Sequence, residues 1–349
     1  MLYICAMKMM RAAYIVKHGK AHEAFEIRET AIPTAGPGQV LIKSEVFGLN
    51  FAEVPMRYGM YREAPPLPFI PGYDMVGRVE AVGQGVDPSW IGKRVAAMAR
   101  FGTYAEYCVT VEPGISEIPE DLAAGAASAI GVQYTTAYYS AIFSMNLLPG
   151  DKVLIHAGAG GVGSALIQLC KWKGCEIFTT VGSKEKEERV RALGADHVIN
   201  YRETDYLTAC KKLLAGKRLE ATFNAIGGSS FKKDMQLLGS GGRLVLYGAA
   251  ERMGQKGGKL ATLAMLWKMG FIMPIMLMAK SRSVIGVNIL KLADYRPQVI
   301  TTCFRELMTL LDQGIIEPQM GGEFAIDELA KAHNMLENRQ TMGKVVVRW

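Results

Sequence analysis

The sequence lacks the features of a secreted or nucleic-acid-binding protein. Its six cysteines form no C-x-x-C pair and no dense framework, so we expect free thiols in a reducing, cytoplasmic compartment. No apolar stretch of signal-peptide length precedes the first lysine, which argues against secretion. The net charge of +7 comes without a basic run or an aromatic-interleaved basic patch. Nucleic acid is therefore not an expected partner, whereas an anionic small ligand suits the charge.

One apolar segment is too short to cross a membrane. It runs for seventeen residues from Leu263 to Ala279 and is interrupted by Lys268 and Pro274, whereas a transmembrane helix needs about 20 residues. We expect this segment to form a buried, Met-rich helical wall. A peripheral membrane contact and a dimer surface are the alternatives.

The composition is that of a globular protein without repeats or low-complexity tracts. Half of the 349 residues are hydrophobic and 21% are charged, a mixture that can bury a large core and excludes a disordered or collagen-like chain. At about 100 to 200 residues a domain, the length predicts two domains. The 38 glycines against 14 prolines indicate many tight turns, as in an α/β enzyme.

The first 125 or so residues predict a small, largely antiparallel β domain. Short extended runs alternate with Gly and Pro, namely RAAYIVKHG, QVLIKSEVFGLN, MVGRVEAVG, RVAAM and YAEYCVTV. Beyond Leu122 the chain becomes rich in alanine and then alternates strand and helix. Six apolar runs predict a parallel sheet with helices on both faces: DKVLIHA, CEIFTTV, ADHVINY, ATFNAIG, GRLVLYG and RSVIGVN.

The C-terminal part predicts two helices and a last strand. The helices are expected over residues 301–313 and 326–337, and the strand from Lys344 to Arg348. This strand has no place in the six-stranded sheet, so we expect it to return to the first domain and make that domain discontinuous. The predicted division is residues 1–127 with 293–349 for the β domain, and residues 128–292 for the parallel-sheet domain.

A glycine-rich turn joins the first parallel strand to a helix. DKVLIHA ends at Ala157, SALIQLCKWKG has a helical pattern, and between them stand Gly158, Ala159, Gly160, Gly161, Val162 and Gly163. In this strand-turn-helix context, G-x-G-x-x-G lets a pyrophosphate approach backbone N–H groups at the positive end of the helix dipole. The turn therefore predicts dinucleotide binding, with a packing turn that binds nothing as the alternative.

The end of the next strand indicates which dinucleotide is bound. An NAD site places Asp or Glu about 20 residues past the turn, where this chain has Gly182 and Ser183 followed by Lys184 and Lys186. A hydroxyl and two ammonium groups suit the 2′-phosphate of NADP(H), which a carboxylate would repel. The alternative is that both lysines only solvate the start of a helix.

The residues around this turn resemble the zinc-independent quinone oxidoreductase branch of the medium-chain dehydrogenase/reductase superfamily. The pattern of the branch is matched at Gly150, Asp151, Leu154, Gly158, Ala159, Gly160, Gly161, Gly163, Gln168 and Lys171. Further matches extend along nearly the whole chain: VLIKSEVFGLNFAE, PFIPGYDMVGRVEAVG, GTYAEY, LGADHVINYRE, NAIGG and GKVVV. Within the branch, GLNFAE, RYGMY and APPLPFIPGY look most like the vesicle amine transport protein group.

The resemblance implies an α/β protein: a GroES-like β domain packed on a Rossmann domain with a doubly wound parallel sheet. It implies NADPH and substrate in the cleft between these domains, and a homodimer, which is common in the branch. It also implies roles for individual residues. Asn50 and Thr136 match positions near the nicotinamide, Lys186 and Tyr201 positions at the 2′-phosphate with Ser183 beside them, and Gly248 and Ala249 the backbone under the nicotinamide.

The metal ligands of zinc-containing relatives are missing. GLNFAE has no thiol, Tyr73 stands where those relatives have an imidazole, and the region after Val95 contains only Cys108, too few soft ligands for a tetrahedral site. The five histidines have no ligand spacing, and we expect each at the surface or at a strand end: His18, His22, His156, His197 and His333. No metal is therefore expected. A further departure is Pro55, because some quinone reductases have tyrosine there, which puts a two-tyrosine substrate clamp in doubt.

A site with a nicotinamide cofactor and no expected metal favours reduction of an electron-poor acceptor. Without a Lewis acid the alkoxide of an alcohol is not stabilised, whereas a quinone or α,β-unsaturated carbonyl needs only a hydrogen-bond donor for the oxygen that gains charge. Tyr61 is the expected donor and Asn50 a second one, although Tyr61 lies in a Pro-rich loop where tyrosine often only packs. We therefore expect an NADPH-dependent quinone or enone reductase. The alternatives are an enoyl thioester reductase and a cofactor-retaining binding or membrane-trafficking protein with little catalysis.

Overall fold

The computed structural model describes residues 8–252 and 258–349, and the chain divides into two compact units. One comprises the chain up to Thr135 together with Leu290–Asp312 and Glu317–Trp349. The other comprises Thr136–Ile289 and Gln313–Ile316. The division at 127/128 and 292/293 remains a proposal about where the folding domains begin and end.

The first unit is built on antiparallel strands. They are β1 (Met9–Ile15), β2 (Phe25–Ala31), β3 (Gln39–Leu49), β4 (Asp74–Val82), β5 (Arg94–Met98), β6 (Tyr107–Val111) and β7 (Ile115–Glu117). β1 pairs with β2, while β3 pairs with both β4 and β6 at the centre of a larger sheet. β3 takes this central place because its apolar side chains are buried on both faces, as at Val40, Phe47 and Leu49.

The second unit contains the predicted parallel sheet. Its strands are β8 (Lys152–Ile155), β9 (Glu176–Val181), β10 (His197–Asn200), β11 (Leu219–Asn224), β12 (Leu238–Leu246) and β13 (Ser283–Gly286). Their order is β10-β9-β8-β11-β12-β13, with every neighbouring pair parallel. The strand order reverses between β8 and β11, so the loop after β8 lies at the switch point where doubly wound folds bind dinucleotides.

The last two strands are β14 (Met320–Ala325) and β15 (Lys344–Arg348). β15 pairs antiparallel with β3, with Val345 opposite Leu49, and parallel with β14. The C-terminal strand therefore returns to the first unit, as predicted. The sequence analysis did not predict β2, β7 or β14.

Thirteen α-helices lie among the described residues. They are α1 (Ala21–Ala24), α2 (Glu53–Arg57), α3 (Ala124–Ala129), α4 (Thr135–Tyr138), α5 (Gly161–Trp172), α6 (Lys184–Ala192), α7 (Tyr206–Leu214), α8 (Ser229–Leu237), α9 (Gly258–Met269), α10 (Pro274–Ala279), α11 (Ile289–Tyr295), α12 (Pro297–Asp312) and α13 (Leu329–Glu337). The predicted helices over residues 301–313 and 326–337 correspond to α12 and α13.

The expectation of a buried wall over residues 263–279 is wrong. Trp267 is 70% exposed and Phe271 is 91% exposed, and α10 contains no buried residue. Hydrophobicity predicts that such a segment is covered, but it does not show whether the cover is the chain's own core or another molecule. In the described part of this segment most large apolar side chains form a surface rather than a core, although Met265 is buried.

Candidate functional site

The glycine turn leaves no room for side chains at two of its glycines, Gly158 and Gly163. It runs from the end of β8 to Gly160, the N-cap of α5. A Cβ on Gly158 would lie 2.0 Å from Thr179 Oγ1, and one on Gly163 would lie 2.3 Å from the carbonyl oxygen of Ala157. No side chain in the described structure caps the first turn of α5, whose N–H groups therefore suit an anion. This cradle fits a dinucleotide pyrophosphate.

A buried polar network that the sequence analysis missed lies beneath the turn. Thr180 Oγ1 accepts a hydrogen bond from the Ala157 N–H at 3.2 Å and lies 3.3 Å from His156 Nδ1. On its other side, His156 Nε2 contacts the buried Asp234 carboxylate at 3.0 and 3.1 Å. Tyr206 donates to the same carboxylate at 2.9 Å. Because these groups join β8, β9 and α8, they fix the turn against the sheet.

Three predicted 2′-phosphate residues come together at the ends of β9 and β10. A Cβ on Gly182 would lie 2.5 Å from the Tyr201 hydroxyl, so these residues are in contact. Ser183 is the N-cap of α6, and its hydroxyl accepts a hydrogen bond from the Lys186 N–H at 3.4 Å. Glu187, in the same helical turn, accepts a hydrogen bond from Asn200. The cluster offers two hydroxyl groups and a cation, which suits a phosphate.

The predicted nicotinamide-side residues of this unit lie at the ends of neighbouring strands. Gly248 follows β12, and a Cβ on it would lie 2.6 Å from the carbonyl oxygen of Ala225, directly after β11. Ala249 lies 3.4 Å from the corresponding Cβ position of Gly227. Thr136 is buried in α4.

Asn50, in the first unit, is held by a buried ion pair. Its side-chain Nδ2 donates to Asp74 at 2.6 Å and to Glu53 at 3.4 Å, and its Oδ1 accepts from Lys344 Nζ at 3.2 Å. Lys344 also pairs with Asp74 at 2.7 Å, with both side chains fully buried. Carboxylates thus bind both hydrogens of the Asn50 amide. Asn50 is firmly positioned, but it would have to give up one of these bonds to donate to a substrate.

The network continues from Glu53 to His333. Tyr104 donates to Glu53 at 2.5 Å and lies 3.0 Å from His333 Nε2. Burial raises the pKa of Glu53 to about 7, although the Tyr104 hydrogen bond opposes the rise, and burial lowers the pKa of His333 to about 3. His333 lies fully buried within α13, so the expectation of a surface or strand-end histidine is wrong there. In α13 it occupies the amphipathic helix's buried face.

The buried Glu53 makes stability depend on pH. Its folded pKa of about 7 exceeds the ordinary 4.5, so between these values the unfolded chain loses the proton first and stability falls as pH rises. The cost is complete above pH 7 and amounts to about 3 kcal/mol. Because a small part of this cost is already present at pH 5, we expect Glu53→Gln to gain about 2.5 kcal/mol in free energy of unfolding, relative to the unchanged protein, between pH 5 and pH 8.

Chemical unfolding at both pH values measures this gain. Glu117→Gln, which alters an exposed carboxylate paired with Lys93, is the control and should show no such pH-dependent gain. His333 titrates in every variant compared, so its own contribution cancels. A Glu53→Gln gain that is equal at pH 5 and pH 8 would contradict the assignment.

Tyr61 lies beside Tyr73 in the first unit. Their ring centroids are 6.4 Å apart. Burial raises the pKa of both tyrosines above the usual 10, so both remain protonated hydrogen-bond donors at neutral pH. Within the described parts of the chain, no three His, Cys, Asp or Glu side chains form a group that could hold a metal ion.

Comparison with known proteins identifies the family. The chain is 33% identical to the human synaptic vesicle membrane protein VAT-1 homolog over 322 residues, 92% of this chain and 81% of that protein. It is 31% identical to human quinone oxidoreductase over 343 residues, 97% of this chain and 98% of that protein. The chain belongs to the zinc-independent quinone oxidoreductase branch of the medium-chain dehydrogenase/reductase superfamily.

Membership of this branch agrees with the matched domain families. Residues 36–141 match the alcohol dehydrogenase GroES-like domain, and residues 161–305 match the zinc-binding dehydrogenase family. Escherichia coli quinone oxidoreductase, solved as a complex with NADPH, superposes with a TM-score of 0.84 at 25% identity, covering 97% of this chain and 100% of that one. The predicted fold, a GroES-like domain plus a Rossmann domain, is confirmed.

The sequence analysis predicts that the apolar segment from Leu263 to Ala279 is too short to cross a membrane. Across residues 8–252 and 258–349, no helix combines the length and the apolar character needed to cross a bilayer.

Proposed function

We propose that this protein is an NADPH-dependent reductase of quinones or α,β-unsaturated carbonyls. The observation that carries the proposal is the cluster of Gly182, Ser183, Lys186 and Tyr201 beside a turn that has no room for a side chain at Gly158 or Gly163. The cofactor is NADP(H), and it supplies a hydride when bound. Membership of the quinone oxidoreductase branch supports the choice of acceptor.

The chain's own residues then have distinct tasks. The backbone of Gly158, Gly160, Gly161, Val162 and Gly163 binds the pyrophosphate, because the turn brings it close to the N-terminus of α5. Lys186, Ser183 and Tyr201 bind the 2′-phosphate. Thr136, Gly248 and Ala249 orient the nicotinamide.

The acceptor oxygen is polarised by Tyr61. A protonated phenol donates a hydrogen bond to the oxygen as it gains negative charge, which lowers the barrier to hydride transfer. Asn50 contributes mainly by position, since its amide hydrogens bind Asp74 and Glu53. It becomes a second donor only when one of these bonds is exchanged for substrate.

The test is NADPH oxidation at 340 nm with quinones, enals and enoyl thioesters. We expect quinones or enals to accelerate oxidation. If enoyl thioesters are the better acceptors, the protein is an enoyl thioester reductase. If NADPH binds and no acceptor accelerates its oxidation, the proposal is contradicted in favour of a cofactor-retaining binding or membrane-trafficking protein.

We expect Lys186→Ala to weaken NADPH binding about 10- to 100-fold. Loss of one charged hydrogen bond costs about 1.5 to 3 kcal/mol, and NADH lacks the phosphate that receives it. Calorimetric titration with both nucleotides measures the effect. Lys212→Ala, at an exposed lysine of α7 in the same unit, is the control, and equal losses for NADPH and NADH would count against the assignment.

The second candidate function, membrane trafficking, is favoured by the surface around α9 and α10. A groove of about 960 Å³ combines exposed apolar side chains with five cations and has no carboxylate among its described lining residues. The cations are Lys211, Arg218, Lys232, Lys280 and Arg282. We propose this surface as the site of homodimer formation or of peripheral membrane contact by a protein that works in the cytoplasm. Sedimentation of the protein alone detects a homodimer, and sedimentation with anionic vesicles detects membrane contact.

A further inference from the structure

Asp234 lies at the centre of the buried polar network in the second unit. Within the part of the chain that the structure describes, three side chains contact its carboxylate. His156 Nε2 lies 3.0 and 3.1 Å from the two oxygens, Tyr206 donates at 2.9 Å, and Asn224 Nδ2 donates at 2.6 Å. Asp234 and Asn224 are fully buried, and a buried charge is costly unless it is hydrogen-bonded. Because His156 follows β8 and Asn224 ends β11, the carboxylate joins the ends of two neighbouring strands.

One chain of hydrogen bonds runs from the glycine turn to Asp234. A carboxylate only accepts hydrogen bonds, and a neutral imidazole that donates to it from Nε2 accepts at Nδ1. The Thr180 hydroxyl therefore donates to His156 Nδ1 at 3.3 Å, and its oxygen accepts the Ala157 N–H at 3.2 Å. The Thr180 carbonyl oxygen also accepts the Gly158 N–H at 3.1 Å. Ala157 has a φ of +55°, which residues other than glycine rarely adopt, so these bonds hold the turn where its backbone is strained.

A second chain of hydrogen bonds reaches the same carboxylate from the loop after β11, residues 225–228. Asn224 Oδ1 accepts the N–H groups of Ile226 at 2.8 Å and Gly227 at 2.9 Å, while its Nδ2 donates to Asp234. This loop lies against the segment after β12, because a Cβ on Gly248 would lie 2.6 Å from a carbonyl oxygen of the loop. Since Gly248 is proposed to orient the nicotinamide, the second chain begins at the nicotinamide end of the cofactor site.

We propose that Asp234 is a positioning residue for the dinucleotide, and that it holds the glycine turn and the loop after β11 in the one arrangement that fits a single NADPH molecule. The turn binds the pyrophosphate and the loop supports the nicotinamide, so their relative position must match the cofactor. Asp234 acts through Thr180 and Asn224 rather than by contact with the cofactor. The inference rests on the cofactor part of the proposed function and does not depend on which acceptor is reduced.

Asp234→Asn tests the carboxylate, because it keeps the shape and replaces one accepting oxygen by a donor. We expect the dissociation constants of NADPH and NADH, measured by calorimetry, each to rise about tenfold or more, since the turn and the loop lose their alignment. Adenosine 2′-monophosphate has neither pyrophosphate nor nicotinamide, so its binding at the Lys186 cluster should change by less than about twofold. Equal losses for all three ligands, or unchanged dinucleotide binding by the folded variant, would overturn the inference.

Thr180→Val and Thr180→Ser test the link to the turn, and they do so even if Asp234→Asn fails to fold. Valine keeps the volume and removes the hydroxyl group, so we expect NADPH and NADH to bind about fivefold more weakly. Serine restores the hydroxyl group and should restore the affinity. Thr222→Val is the matched control, because Thr222 is also buried in this sheet and its Oγ1 has no hydrogen-bond partner within residues 8–252 and 258–349.

The binding measurements separate this inference from the proposed function. A serine variant that binds as weakly as the valine variant, or a valine variant that binds like Thr222→Val, would overturn the positioning role. If the unchanged protein binds neither NADPH nor adenosine 2′-monophosphate, the cofactor proposal itself fails. If both ligands bind and the dinucleotides depend on Asp234 while no acceptor is reduced, the positioning role stands and the reductase proposal fails.

Discussion

Replacement of Gly163 by valine is expected to abolish tight NADPH binding. A Cβ at this position would lie 2.3 Å from the Ala157 carbonyl oxygen and 2.7 Å from Gly158 Cα, closer than real side chains approach backbone. The start of α5 must therefore move away from the turn after β8. Loss of two or more charged hydrogen bonds from the N–H groups there would weaken binding on the order of 100-fold or more.

Gly160→Ala is the control for this change. A Cβ on Gly160 would have only the Ala157 carbonyl oxygen near it, at 3.3 Å, and the backbone there has a negative φ. We expect a much smaller loss of affinity at this neighbouring glycine. Far-UV circular dichroism of both variants establishes that the second unit is folded. Binding by folded Gly163→Val that equals binding by Gly160→Ala would contradict a pyrophosphate site in this turn.

Tyr61→Phe is expected to lower kcat about 100-fold and to leave the NADPH dissociation constant unchanged. Removal of one donor from an oxygen that gains charge costs about 100- to 1000-fold in other enzymes, and the phenyl ring preserves the packing against Tyr73. Steady-state kinetics with a quinone and a separate NADPH titration measure the two quantities. Tyr295→Phe, at an exposed tyrosine of the same unit, controls for loss of a tyrosine hydroxyl, and a rate equal to that of the unchanged protein would leave Tyr61 with a packing role only.

The parts of the fold that follow from local patterns were predictable. The six strands of the parallel sheet are apolar runs separated by segments long enough for a helix, and each appears in the structure close to its expected residues. β2 was missed because three of its seven residues are charged, namely Glu26, Arg28 and Glu29, and none of its residues is buried. β14 was missed because its two glycines resemble a turn in the sequence.

The residues of the candidate site also fall into a part that the sequence predicts and a part that it does not. The glycine turn is contiguous in sequence and could be predicted, because its chemistry depends on neighbouring backbone groups. The chain from Asn50 through Glu53 and Tyr104 to His333 could not, since Tyr104 and His333 are 229 residues apart. The packing of α13 against α1, α2, β14 and β15 brings them together.

The exposed surface of α9 and α10 shows a further limit of sequence reasoning. An apolar segment predicts burial, but not by what. Trp267 and Phe271 would be buried only by another molecule, whether a second copy of the chain or a lipid surface. The sequence therefore indicated that the segment needs to be covered without indicating the partner.

The central claim is that a dinucleotide with a 2′-phosphate binds at the turn after β8 and needs no metal ion to do so. Calorimetric titration of the metal-free apoprotein with NADPH and with NADH tests this claim most directly. We predict that NADPH binds with a dissociation constant at least about tenfold lower than that of NADH, as loss of a charged hydrogen bond implies. Heat from neither nucleotide, or binding that returns only when zinc is restored, would contradict the account.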